Sequence, residues 1–237
     1  MVNFLGKLFK KPQKSKPANM KNVREILYGD HDPYSKVKKL PLDLQGWGSS
    51  DSSVFEEIIV RLKPKLIVEV GSWKGRSAVN IANTCLKYYD DFEIVCIDTW
   101  LGSVEHWLEI DKNLGKREFV NGRPTIYNKF LSNIVQSQLQ EYITPFPIDS
   151  VNGAYTLSEL KIYPDLIYID AGHEYFSVKC DFYSYSKIVR DGGRILGDDF
   201  HHGPVASAAR ETFGDDKVVD AGESKFVWIK VSAAKGK

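Results

Sequence analysis

Four short segments of this chain share a pattern that few folds accommodate. Residues 65–71 (KLIVEVG), 93–98 (EIVCID), 165–170 (DLIYID) and 194–198 (RILGD) are near-continuous apolar runs, each ending in glycine or aspartate. A strand covered on one face alternates apolar and polar residues. A strand apolar at almost every position is covered on both faces, as in a parallel sheet. Between them, residues 77–88 repeat Val79, Ala82 and Leu86 at helical spacing, and 175–189 reads as a second helix. Strand–helix alternation of this kind predicts a sheet wound with helices on both faces.

The remaining segments fill in that outline. Residues 22–52 look irregular, broken by Pro33, Pro41 and the GWGSSDSS stretch. Ser52 or Ser53 can cap a helix over 54–62, which Pro64 ends. Residues 103–140 suggest two helices separated at 122–124. Residues 142–148 form a strand that Pro145 and Pro147 keep short or near an edge. A helix over 205–213 precedes a hairpin of 218–220 and 225–231, joined through Gly222. The expectation is an α/β fold: a doubly wound, Rossmann-like, mostly parallel seven-stranded sheet with a terminal antiparallel hairpin. Residues 22–237 read as one domain behind a flexible basic tail, 1–21, which carries six lysines and no acid.

Composition matters mainly for what it excludes. A formal net charge of +1 gives no global field for nucleic acid, and the body shows no basic stripe. No apolar run approaches the ~20 residues that cross a bilayer. The tail could touch a membrane through Phe4, Leu5, Leu8 and Phe9, but a solvated tail is the simpler reading. Cys85, Cys96 and Cys180 are odd in number and scattered through apolar segments. They read as reduced core residues of a cytoplasmic protein.

Three stretches converge on one site: VEVGSWKGRS (68–77), YIDAGHEY (168–175) and RILGDDF (194–200). In open α/β sheets, ligands bind outside the C-terminal ends of the strands. Gly71 and Gly75 permit a tight turn and close approach of a ligand to the backbone, and the helix beyond offers unpaired N–H groups. The G-S-W-K-G spacing lacks the third glycine of a dinucleotide turn, which disfavours an NAD-dependent oxidoreductase. Asp98 stands where a ribose diol would be hydrogen-bonded; the alternative is a loop carboxylate or helix cap. Asp149 and Ser150 fall where an adenine edge would lie, or cap a helix starting near Val151. Asp170, Asp198 and Asp199 follow apolar strands, and three carboxylates with no cation beside them repel one another. A divalent ion would resolve this, and all-oxygen ligation points to Mg²⁺, Ca²⁺ or Mn²⁺. Otherwise the acids face solvent in loops. His173 is a candidate base or a helix-start residue bonded to local backbone, and His201 and His202 are alternative bases or loop residues. Trp73, Trp100, Glu105 and Trp107 could line the pocket, but large aromatics near a glycine turn read more readily as core or lid packing than as cofactor contacts.

Glu69-Val70-Gly71 with Gly75, then Asp98, then Asp170, resembles the class I S-adenosylmethionine-dependent methyltransferases over roughly residues 54–231. The resemblance implies that Glu69, Gly71, Ser72, Gly75 and Ser77 hold the methionine part of S-adenosylmethionine. Asp98 would then bind the ribose, with Asp149, Ser150 and Asp170 completing the cofactor site. The run I-D-A-G-H-E-Y followed by G-G-R-I-L-G-D-D-F is similar to a narrower group, the metal-dependent macrocin- and mycinamicin-type sugar O-methyltransferases and cephalosporin-hydroxylase-like proteins. Catechol O-methyltransferase carries a similar acid arrangement. That similarity implies Mg²⁺ on Asp170, Asp198 and Asp199, His173 as base, and a small-molecule or glycan hydroxyl, such as a vicinal diol, as acceptor. A hydroxylase-like enzyme and a non-catalytic cofactor-binding module are the rival readings.

Overall fold

The computed structural model describes residues 22–45, 53–108 and 119–231. The basic tail and the stretch 46–52 lie outside the described residues.

The elements follow the expected alternation. In chain order they are α1 (Val23–Tyr28), α2 (Ser53–Leu62), β1 (Leu66–Val70), α3 (Arg76–Tyr88), β2 (Glu93–Asp98) and α4 (Val104–Trp107). Next come β3 (Phe119–Val120), β4 (Arg123–Pro124), α5 (Ile126–Gln136), β5 (Ile143–Pro147) and α6 (Ser150–Glu159). The chain continues through β6 (Leu166–Ile169), α7 (Tyr175–Ile188), β7 (Arg194–Gly197), α8 (Gly203–Phe213), β8 (Val219–Gly222) and β9 (Lys225–Ile229). The seven-stranded sheet has the order β5-β2-β1-β6-β7-β9-β8. Its first five strands pair in parallel, and β9 is antiparallel to both β7 and β8.

Period-2 alternation along the strands divides the core into two layers. Ile67, Ile94, Cys96, Tyr168 and Leu196 face α2, α3 and α5. Val68, Val70, Val95, Ile97 and Ile169 face α6, α7 and α8. This two-sided burial is why the strands lack polar positions. β5, with its two prolines, lies at the sheet edge as expected, where a missing N–H costs least.

Three details depart from the sequence reading. The stretch read as irregular contains α1, whose six residues are too few for a period to show. Asn22 caps it, and the buried Glu93 carboxylate accepts the Val23 and Arg24 N–H groups at 2.9 and 3.1 Å. Arg24 then reaches the edge strand, donating to Thr144 Oγ1 (3.2 Å) and the Ile143 carbonyl (2.7 Å). Among the described residues, the segment 103–140 holds two helices, a single turn, α4, and the longer α5. Between α4 and α5, Asn121 and Gly122 (φ 52° and 76°) turn a β3–β4 ribbon that was not foreseen, as positive φ at both central residues allows. Cys85 and Cys96 are buried as expected, but Cys180 is exposed on α7.

Glu93 joins α1, β2 and β5, also accepting from the Thr144 hydroxyl at 2.9 Å. Replacing it by alanine strands the buried Val23 N–H and Thr144 hydroxyl and the half-buried Arg24 N–H. Glu93→Ala is therefore expected to cost about 2–4 kcal/mol, lowering Tm by roughly 5–15 °C in calorimetry. A shift of under about 2 °C would show that α1 is not anchored through this carboxylate.

Candidate active site

The chain runs outward from β1 to β2 and β5, then returns to lay β6 on the other side of β1. Connections from β1 and β6 thus leave in opposite directions, which opens a crevice at their C-terminal ends. A cavity of about 610 Å³ occupies it, walled by Gly71, Trp73, Asp98, Asp149, Asp170 and Asp181 among others. That volume suits a small-molecule ligand or cofactor.

The glycine turn is dictated by the protein before any ligand is considered. Gly71 has φ +87°, and a Cβ on it would lie 2.0 Å from the Asp170 carbonyl oxygen. Gly75 has φ +86°, and a Cβ there would meet the Phe130 ring at 3.0 Å. The expected close approach of a ligand is therefore not what demands glycine here; neighbouring strand and helix already do. Asp98 secures the turn. Its Oδ2 accepts the Ser72 and Trp73 N–H groups at 3.0 and 2.8 Å, and its Oδ1 accepts that of Trp100 at 2.7 Å. Burial pushes this carboxyl up while those N–H groups act against the shift.

The other residues assigned to the cofactor divide into two groups. Gly71, Asp98, Asp149, Ser150 and Asp170 wall the cavity. Glu69, Ser72, Gly75 and Ser77 do not line it. Glu69 is wholly buried on the α3 side of the sheet, accepting from Cys96 Sγ at 3.4 Å. Burial raises its pKa, opposed by the nearby Ser72 and Ser77 hydroxyls. Asp149 is the N-cap of α6, its carboxylate accepting from Asn152 N at 3.0 Å, so the capping alternative describes its side chain. Trp73 and Trp107 line the cavity, with Trp73 stacked on His106 at 4.0 Å between centroids, whereas Trp100 belongs to the core. Trp73 Nε1 is buried with no hydrogen-bond partner among the described residues. An orphan donor beside a cavity of this size fits a ligand rich in acceptors, as S-adenosylmethionine is.

The acid cluster differs from its sequence reading in one decisive way: a cation is already present. Lys225, nearly fully buried at the start of β9, places Nζ 2.9 Å from Asp198 Oδ2. The Tyr168 hydroxyl bridges Asp198 and, at 3.1 Å, Asp170, while Asp198 Oδ1 accepts the Asp199 N–H at 2.8 Å. Asp198 is thereby occupied within the protein and joins no convergent donor set among the described residues. The set that does converge is Asp170, His173 and Asp199, one donor atom each, all within 4.8 Å of one another. His173 Nε2 lies 2.8 Å from Asp199 Oδ2. Burial, reinforced by Asp198 and Asp199, pushes Asp170 up to about 8. At neutral pH it therefore holds a proton that a divalent ion could displace, so two carboxylates and an imidazole fit such an ion.

Lys225 and Asp181 were missed in the sequence. Lys225 heads an apolar strand, where a lone lysine reads as a strand end. Asp181 interrupts the buried face of α7 formed by Val178, Phe182 and Tyr185, and an acid among such neighbours was the available signal. It accepts from the Ser150 hydroxyl. Burial pushes it up to about 6, against the Ser150 bond. Below about pH 4 it is protonated folded or unfolded; between about 4 and 6 the native state binds more protons, so stability falls as pH rises through that window and stays lower above it. Asp181→Asn should thus raise Tm at neutral pH, by an amount equivalent to about 1–3 kcal/mol, and change it little near pH 4. An equal effect at both pH values in thermal melts would contradict this origin.

Comparison with known proteins agrees with this architecture. No curated protein sequence matches the chain. An O-methyltransferase from Bacillus cereus, solved in complex with S-adenosylhomocysteine, superposes with TM-score 0.56 at 15% identity, over 81% of this chain and 84% of that one. CalS11, a calicheamicin methyltransferase, gives 0.53 at 16%, over 74% and 75%. TomG from Streptomyces achromogenes, an O-methyltransferase of tomaymycin synthesis solved with S-adenosylmethionine, gives 0.53 at 12%, over 81% and 83%. The family model described as a methyltransferase domain matches residues 68–200, from inside β1 through the acid-bearing loop after β7. The chain belongs to that family and is a class I S-adenosylmethionine-dependent methyltransferase.

Proposed function

We propose that this protein transfers the methyl group of S-adenosylmethionine to a hydroxyl of a small molecule, with a sugar or other vicinal diol as the acceptor class, and that a divalent ion assists. One observation carries this reading: Asp170 belongs both to the cavity wall and to the Asp170–His173–Asp199 cluster. A donor in the cavity and an acceptor at the cluster would therefore meet across a single residue. Solved folds of this shape that carry O-methyltransferase names support oxygen as the acceptor atom.

Bound S-adenosylmethionine supplies an electrophilic methyl for in-line displacement. A divalent ion on Asp170 and Asp199 would lower the pKa of an acceptor hydroxyl and orient it. The chain's own residues do the rest. Asp199 accepts from His173 Nε2, which holds the imidazole at the cluster as the base for the hydroxyl proton. Lys225 balances the charge of Asp198 and the Tyr168 hydroxyl hydrogen-bonds it, so Asp170 and Asp199 are the carboxyl groups available to the site. Trp73 and Trp107 supply apolar wall that keeps water from the reacting face. Residues 22–237 are read as one catalytic domain, and three unpaired cysteines support a reducing compartment such as the cytoplasm.

The test begins with calorimetric titration of S-adenosylmethionine, followed by turnover on diol and single-hydroxyl acceptors with and without EDTA. Asp199→Ala should keep cofactor affinity while lowering turnover by roughly 100-fold or more. Full turnover by that variant at saturating cofactor would remove Asp199 from the mechanism.

A further inference from the structure

Two histidines that this mechanism leaves idle stand beside Asp199. His201 and His202 lie in the loop from β7 to α8, and Asp199, His201 and His202 each offer a donor atom within 4.8 Å of the others. The His201 and His202 rings are 4.4 Å apart between centroids, and His202 is 5.4 Å from His173. His202 occupies the N-cap of α8, a position that favours Ser, Thr, Asp or Asn because their side chains bond the first N–H groups. Its ring makes no such bond. Its ring therefore serves no capping role.

Donor chemistry offers it another. With Asp198 held by Lys225, the set that contains His201 and His202 has one oxygen donor, Asp199, which it shares with the Asp170–His173–Asp199 set. Mg²⁺ needs near-octahedral oxygen ligation and gains little from imidazole, whereas imidazole favours later first-row ions in the order Mn²⁺ < Co²⁺ < Ni²⁺. We propose that His201 and His202 ligate a first-row transition ion together with Asp199, and that the site takes such an ion in preference to Mg²⁺. This inference rests on the reading of the acceptor site as a divalent-cation site, and it replaces the all-oxygen expectation for that site.

The probes are Co²⁺ and Mg²⁺, titrated into the full-length protein without acceptor. Binding is followed by calorimetry and, for Co²⁺, by visible d–d absorption. Co²⁺ should bind at least about tenfold more tightly than Mg²⁺. The double variant His201→Ala/His202→Ala should lose the absorption and most of the discrimination while still binding S-adenosylmethionine, which shows that it is folded. Mg²⁺ binding as tightly as Co²⁺ to the unaltered protein would overturn the proposal and leave a Mg²⁺-assisted methyltransferase standing. Discrimination that survives the double variant would overturn it too. Histidine-dependent Co²⁺ binding with turnover indifferent to metal would uphold the site and remove the ion from the proposed reaction. Binding of neither ion would end both.

Discussion

The contact between the end of β1 and the end of β6 governs everything functional in this molecule. Val70 and Gly71 are tied to both neighbours: Asp170 N donates to the Val70 carbonyl and Gly71 N to that of Ile97, each at 2.9 Å. The chain must then leave the sheet at once, because the Asp170 carbonyl occupies the place where any side chain on residue 71 would stand. Only glycine satisfies that contact, and its left-handed backbone aims the following turn across the ends of the strands. Asp98 fixes the turn there by accepting two of its N–H groups. The cavity is what remains between a turn held to β2 and a strand that departs toward β7.

The terminal hairpin has a chemical role besides covering the sheet. β9 is inserted between β7 and β8 and runs antiparallel to β7, pairing Phe226 with Gly197. That register sets Lys225 beside Asp198, the first residue beyond β7. Gly197 makes room for it, since a Cβ there would fall 2.1 Å from the Phe226 ring. A buried lysine requires a partner, and a buried aspartate likewise. The pair therefore settles which acid is structural and leaves Asp170 and Asp199 as the acids that meet His173. Burial is the main cause of the elevated Asp170 carboxyl, and the nearby Asp198 and Asp199 carboxylates add to it.

What could be read before folding was whatever repeats or stands at a strand end. Apolar runs without polar alternation gave the parallel sheet, the helices between them gave its winding, and Pro145 and Pro147 placed β5 at an edge. Gly71, Asp98, Asp170 and Asp199 were legible because strand ends on one side of such a sheet converge. The short α1 was not legible: it spans too few residues for a period, and it exists because Asn22 and Glu93 meet its first turn. Nor was the place of Glu69, Ser72, Gly75 and Ser77, which share the motif's sequence but do not line the cavity.

The chain's sequence alone determined the fold class, the side of the sheet that binds, and the residue types gathered there, because burial period and strand-end position are local properties. Tertiary structure alone decided which of those residues act together. Lys225 reaches Asp198 from 27 positions away in sequence, through a strand order no local pattern encodes. Asp198 and Asp199, adjacent and chemically identical in the sequence, are separated into an ion-pair partner and a ligand candidate by nothing but what packs against each. Charge partnership at short range depends on distances in space, and those are set only when the sheet closes.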